Sequence, residues 1–313
     1  MTNRAVNTKC ELRLKTQNPN GDEALTTNET AKAPQRERRR LSPERPLAVQ
    51  DGHRAEPRTV GRWKETSLMD KHALAHQLQD YFEVQTATGW SMREKIYRLR
   101  YEVYCKEFGF EREEDCPGGL EQDPYDSNAL HCALVHKSTG AVAGSVRLVR
   151  PSAFNGETPQ LPMQRFCGDS LNPEDARHPS ALPLNACCEI SRLAVHPLFR
   201  KRTGERQTPW GAHHALDVSD RESRTFPLIA VALFLSAMAL MELDAKPNVF
   251  VMMQPRLARL LDRAGLHFTQ VGQLTDYHGL RAAYYGHYQD GIEGLRSDLR
   301  PLYAEIQKTL SRR

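Results

Sequence analysis

The chain has 313 residues, 39% of them hydrophobic and 26% charged, with a formal net charge of +4. That composition suits a globular protein on the polar side, with room for one large domain or two small ones. The charge is uneven: residues 1–65 hold 14 Lys/Arg and 9 Asp/Glu while the remainder is close to neutral, so salt-dependent nucleic-acid affinity could reside only in the leading arm.

Residues 1–62 are rich in Asn, Thr, Pro, Arg and Glu, include Arg38-Arg39-Arg40, and show no periodicity. They read as a disordered basic arm, with solvation a simpler role for the arginines than contact with nucleic acid or an anionic membrane. The first thirty residues lack the apolar core of a signal peptide. Seven cysteines, an odd number with no C-x-x-C pair, read as reduced thiols rather than a disulfide scaffold. Together these features place the protein in the cytoplasm as an expectation.

Order is expected from about Ser67, where Leu68, Leu74, Leu78, Tyr81 and Phe82 recur at helical spacing. A second helix is expected from Ser91, an N-cap with Glu94 at the capping-box position, to about Phe108. Leu130–His136 and Val142–Val149 read as a hairpin, residues 151–184 as loop with a short helix near Met163–Cys167, and 187–195 as a buried strand. Residues 200–226 form a long polar insertion. The apolar run Leu228–Met241, broken only by Ser236, is too short to span a bilayer and suits a buried helix over 227–244. A strand at Val249–Met253, a helix at Pro255–Ala264 capped by Gly265, strands near 267–274 and 281–288, and an exposed helix over 290–311 complete the chain. This order fits an α/β fold with a mixed sheet and helices on both faces.

Polar residues interrupt these elements. Arg100 lies beside the apolar stripe of the second helix, and Tyr104 one turn later. Glu121-x-Asp123-x-x-Asp126 puts three carboxylates in six residues; Arg147 sits inside a strand; Cys188-Glu189-Ile190-Ser191-Arg192 loads another. Taken singly, each has an ordinary reading: Asp123-Pro124-Tyr125-Asp126 as a capped turn, Glu189 and Arg192 as an ion pair or solvent-facing groups. The acid cluster lacks the spacing of a cation loop, so no metal is expected.

In order and spacing this set resembles the N-acyl-homoserine lactone (autoinducer) synthases: Arg100 and Tyr104, then Phe110, Asp123 and Asp126, Arg147-Leu148, and Glu189-Ile190-Ser191-Arg192. Residues from about 92 to 290 look still more like the acyltransferases associated with PEP-CTERM/exosortase systems. The supporting stretches are Tyr104-Cys105-x-Glu107, Asp123-Pro124-Tyr125-Asp126, Glu189 to Val195, and Tyr277-His278-Gly279-x-Arg281. The resemblance, shared with N-acyl amino acid synthases, implies a GNAT-like acyltransferase fold over 63–313: a central mixed twisted sheet flanked by helices, splayed at its fourth and fifth strands. It implies an enzyme moving a fatty acyl group from an acyl carrier protein thioester to a small amine, an amino acid or related. Glu189, Ser191 and Arg192 would be catalytic; Arg100, Tyr104, Phe110, Asp123, Asp126 and Arg147 would bind substrate. A non-catalytic acyl-binding module is the alternative.

Two departures refine this. Phe110 stands where the synthases usually have Trp, and the 200–226 insertion is long, so S-adenosylmethionine is not the expected acceptor. In Arg200-Lys201-Arg202-Thr203-Gly204-Glu205-Arg206, Glu205 and Arg206 replace the small residue that lets backbone amides approach pyrophosphate. That favours acyl carrier protein over acyl-CoA as donor, with Arg150, Arg165, Arg200, Lys201, Arg202 and Arg206 as docking candidates. Cys187 or Cys188 as a covalent acyl acceptor, His213-His214 with Asp217 as a metal site, and Tyr284-Tyr285 as a general acid are weaker expectations.

Overall fold

The structure, a computed structural model, describes residues 76–200 and 219–312. The chain divides into two units, Met1–Glu65 and Thr66–Arg313, and all described residues belong to the second. The arm, most of the 200–226 insertion, the Gly204 loop and the His213-His214 pair lie outside them.

An eight-stranded mixed sheet runs through the domain. Its strands are β1 (Phe82–Thr86), β2 (Ala129–His136), β3 (Val142–Val149), β4 (Cys187–Val195), β5 (Asn248–Met253), β6 (Thr269–Gln270), β7 (Thr275–Asp276) and β8 (Leu280–His287). The spatial order is β1-β2-β3-β4-β5-β8-β6, with β7 on β8; only β4 and β5 are parallel, as their crossover through a helix requires. The helices are α1 (Trp90–Arg100), α2 (Pro162–Cys167), α3 (Ile229–Leu243), α4 (Pro255–Arg263), α5 (Tyr288–Gly294) and α6 (Arg300–Ser311).

One sheet face is covered by α3 and α6, with Ile190, Val249 and Val251 packing into the same core as Leu233, Phe234, Leu302 and Ile306. The helical stretch Arg221–Leu243 is long and apolar enough to cross a membrane, but 72% of its most apolar window is buried inside the fold, as in a core helix. The opposite face carries two separate apolar patches. Ile96, Leu99 and Val103 of the first helix meet Ala133, Val135 and Ala194; Leu161, Met163 and Cys167 around α2 meet Cys187, Phe250 and Met252. A polar strip on β3 and β4 lies between them.

Two irregularities shape that strip. β4 pairs with β5 only from Cys187↔Asn248 to Ile190↔Val251; beyond this β5 stays with β8 to Met253↔Ala282 while β4 stays with β3 to Val195↔Gly144. The two strands therefore part at Ser191. There β4 also bulges: Ser145↔Ala194 and Arg147↔Ser191 leave one extra residue on β4, and Arg192 takes the left-handed conformation, φ +52°.

Several boundaries differ from expectation. Residues 76–81 are helical but Phe82 opens strand β1, whose Phe82-Glu83-Val84 alternation is half-buried. α1 starts at Trp90 after Gly89 with no side-chain cap, so Ser91 is not the N-cap; Glu94 pairs with Arg98 at 2.8 Å instead. At Tyr101–Glu107 the helix widens to π, with Phe108 N–H reaching Val103 O at 3.1 Å. The terminal helix is two, and α6 is not exposed: Leu302, Tyr303, Ile306 and Leu310 are buried. Gly265 does follow α4 at φ +86°, with Leu266 N–H on Leu261 O and its own N–H on Asp262 O. The backbone of Gly294 packs so close to it that a Cβ on Gly265 would meet Gly294 O at 2.0 Å.

Candidate active site

The polar strip begins with cross-strand neighbours on one face: His131 on β2, Arg147 on β3 and Ser191 on β4. Arg147 is 1% exposed in mid-strand, a position tolerable only with partners. Its Nη1 donates to Asp123 Oδ1 at 2.6 Å and Asp126 Oδ1 at 2.7 Å, and its Nε to Ser191 Oγ at 3.2 Å.

Those aspartates come from the turn Pro124–Asn128. Tyr125 N–H donates to Asp123 Oδ1 at 2.9 Å, and Asp123 N–H to Asp126 Oδ2 at 2.7 Å. The capped-turn reading and the ionic reading both hold: the turn fixes two carboxylates that face arginines. Arg100, fully buried at the end of α1, forks onto Asp126 at 2.7 and 3.0 Å and donates Nε to Glu121. Arg192 reaches Glu121 Oε1 at 3.0 Å, Glu111 Oε1 at 3.2 Å and Asp123 Oδ2 at 3.2 Å. Three arginines and four carboxylates thus form one net. Burial alone would lower the Arg100 guanidinium and raise the Asp126 carboxyl. Their pairing wins, holding Arg100 above its ordinary range and Asp126, beside Arg100 and Arg147, well below the usual carboxylate range. These acids are engaged by arginines rather than arranged around a cation.

Tyr104 and Phe110 flank the net. Tyr104 Oη donates to Leu193 O at 2.8 Å in the bulge, beneath the Arg192 guanidinium 5.6 Å from its ring centroid. Phe110 stacks between Tyr104 at 6.3 Å and His278 at 4.9 Å.

Glu189 stands apart. It is 3% exposed, and among the described residues its hydrogen-bond partner is a backbone group: Met163 N–H, at the start of α2, donates to Oε2 at 2.8 Å. No cation lies within 4 Å of it among the described residues. Burial pushes its carboxyl up to about 7, offset only in part by the Met163 bond and by Arg147 and Arg192 farther off. It sits at the parting of β4 and β5.

All nine expected site residues therefore lie along this one strip. Sequence reasoning left out Glu111, which holds Arg192, and His131, whose buried ring is pulled down to about 4 by desolvation beside Asp126. It also left out Tyr277, His278 and Arg281, although their motif was visible. Tyr125, buried with no hydrogen-bond partner for its hydroxyl among the described residues, has its phenol pushed up to about 12.

Other expectations change. Arg150 forks onto Asp244, Arg165 pairs with Glu157 and Arg200 with Glu107, so these docking candidates are already neutralised; Lys201, Arg202 and Arg206 lie outside the described residues. Burial pushes the Cys187 thiol up to about 11 and that of Cys188 higher, which removes the thiolate a covalent route needs. Tyr285 donates to Asn248 Oδ1 at 2.8 Å and Tyr284 packs in the core, so neither serves as a general acid. Two cavities among the described residues lie away from the net: one of about 280 Å³ between β1 and α6, the other a small hollow on the α3 face near Ile190 and Phe268.

Residues 99–210 match the family described as the acetyltransferase (GNAT) domain, which spans the net, the bulge and Glu189. Solved structures similar to the chain include that of the AHL synthase LasI, at 13% identity, covering 69% of this chain and 97% of that one, TM-score 0.48. Another is BjaI, described as a CoA-dependent acyl-homoserine lactone synthase, with SAM and isopentyl-CoA, at 17% identity, 72% and 89% coverage, TM-score 0.43. A third is FeeM, an N-acyl amino acid synthase from uncultured soil microbes, at 13% identity, 70% and 96% coverage, TM-score 0.44. No curated protein matches the chain.

Proposed function

We propose that the protein is an N-acyltransferase that moves a fatty acyl group from an acyl carrier protein thioester to a small amine, an amino acid or related, in the service of a PEP-CTERM/exosortase system. The observation that carries the reading is Glu189: a buried carboxyl shifted to about 7, without a cation partner among the described residues, where β4 leaves β5 beside a preorganised ionic wall. The exosortase link rests on the sequence resemblance alone.

In this mechanism the acceptor's ammonium gives a proton to Glu189. An α-ammonium has a pKa of about 7.7–8.0, so this transfer costs only about 1 kcal/mol. The neutral nitrogen attacks the thioester carbon and forms the C–N bond. Backbone N–H groups at the parted strands, with the Ser191 hydroxyl, receive the developing oxyanion; one such donor is worth roughly 10²–10³ in rate. As the C–S bond breaks Glu189 gives its proton to the departing thiolate, and the carboxylate so regenerated takes the nitrogen's remaining extra proton and releases it to water. Arg100, Arg147 and Arg192 with their acids hold the wall in place, and Tyr104 and Phe110 line it. Arg256, Arg259 and Arg263 on the exposed side of α4 offer an acidic carrier a positive surface.

The test incubates full-length protein with acyl-loaded carrier protein and amines, and looks for an acylated amine by mass spectrometry. Lipid extracts of cells with and without the protein make the same comparison in vivo. Glu189→Gln keeps an acceptor for Met163 N–H and should lower turnover roughly 10²–10⁴-fold. Absence of any acylated amine would leave an acyl-binding module as the better reading; unchanged turnover in the variant would remove Glu189 from the mechanism.

A further inference from the structure

The motif Tyr277-His278-Gly279-x-Arg281 forms the hairpin joining β7 to β8, and the mechanism above does not use it. Two consecutive residues of this turn are left-handed, His278 at φ +56° and Gly279 at φ +83°. A left-handed histidine is strained, and here the strain coincides with aim. The His278 ring lies 4.9 Å from that of Phe110, with Nε2 3.4 Å from Glu111 Oε1. Arg281, on β8, lays its guanidinium 5.7 Å from the Phe110 centroid and donates Nε to His278 O at 3.3 Å.

Arg281 differs from the other arginines of the site. Arg100, Arg147 and Arg192 each hold at least two carboxylates, whereas no carboxylate lies within 4 Å of the Arg281 guanidinium among the described residues. Burial pulls it below its ordinary value and Arg192 adds to that, against a weaker opposite pull from Tyr104, Tyr277 and Cys167. A half-buried guanidinium with its fork unfilled, set on an aromatic face, is a receptor for a planar anion. Tyr277 lies within electrostatic reach of both Arg281 and Glu189, so the anion site and the base share one neighbouring side chain.

We infer that Arg281, oriented by the strained His278-Gly279 turn and by Phe110, binds the carboxylate of the acceptor while its amine faces Glu189, so that the acceptor is a free amino acid rather than a simple amine, ester or amide. This rests on the acyltransferase reading for the amine, but its binding step can be measured without turnover. The other anion available to the site is the phosphate of the donor's phosphopantetheine arm.

The experiment titrates the twenty L-amino acids and their carboxamides into the full chain by calorimetry, alongside phosphopantetheine. A free acid bound roughly ten- to a hundredfold tighter than its carboxamide is expected, as for a charge-assisted pair. Arg281→Gln should abolish that preference and Arg281→Lys should keep part of it. Equal affinity for acid and amide in the wild-type chain overturns the subsite with no variant needed. A preference that survives Arg281→Gln, or a loss confined to phosphopantetheine, overturns it too. Acyl transfer, scored on the same samples, is a separate result: carboxylate-selective binding without transfer sinks the proposed function and keeps the subsite, and transfer without selectivity does the reverse.

Discussion

The ionic net and Glu189 are neighbours on one sheet face, and they handle buried charge in opposite ways. In the net, Asp126 is shared by Arg100 and Arg147, and Glu121 and Asp123 are each held by two arginines as well. The three guanidiniums are pushed above their ordinary range and the Asp123 and Asp126 carboxyls below theirs, so the net keeps one charge state and serves as a frame. Among the described residues Glu189 accepts from a single amide, and burial brings its carboxyl into the range where protons come and go near neutrality. Pairing makes structure, and withholding a partner makes reactivity.

Breaking the frame should have the largest effect. Asp126→Ala leaves Arg100 and Arg147 short of a shared partner in a dry site, and should destabilise the domain by about 3–5 kcal/mol, measured by urea unfolding. A loss under about 1 kcal/mol would mean the net is solvated and not a frame.

Glu189 should respond in the other direction. Its folded pKa, about 7, lies above the ordinary value of 4.5. Its contribution to stability is therefore full below pH 4.5 and is lost as pH rises through 7. Glu189→Gln removes that titration, so the variant should gain on the wild type between pH 5 and pH 8, approaching about 3 kcal/mol. Parallel stability curves for the two proteins would show that burial does not hold the carboxyl up.

Arg192 sharpens the boundary between the two regions, since it belongs to the net yet sits in the bulge. Arg192→Lys keeps the charge but cannot span Glu111, Glu121 and Asp123 at once. A cost of about 1–2 kcal/mol is expected, read as a fall in Tm of a few degrees. An unchanged Tm would assign the bulge, rather than the fork, as what fixes this segment.

Much of this was legible in the sequence because the determinants were local. The hairpin, α3, the cap at Gly265 and the polar residues inside strands all announce themselves through period or cost. Phe82–Thr86 did not: five residues after a helical pattern look like its continuation until β2 is beside them. The break between α5 and α6 is set by the Gly265–Gly294 contact, a tertiary event across two segments. Arg281 was quoted as part of a motif, but its lack of a carboxylate partner could be seen only with its neighbours placed. The ion pairs of three docking candidates were hidden for the mirror reason: Asp244 and Glu107 are distant in sequence from Arg150 and Arg200, and Glu157 lies eight residues from Arg165 across a turn.

The extra residue on β4 has a consequence for how this strand varies. A strand alternates sides with a period of two, and one inserted residue resets that phase. Ser191 and Ala194 both serve the layer beneath the first helix, three positions apart instead of two or four. Removing one residue between them would set them two apart, the plain alternation, so Ala194 would keep its side while the bulge and the left-handed turn that aims Arg192 into the net would be lost. The strand therefore tolerates substitution far better than a change in length, and its residue count between Ser191 and Ala194 is itself part of the design.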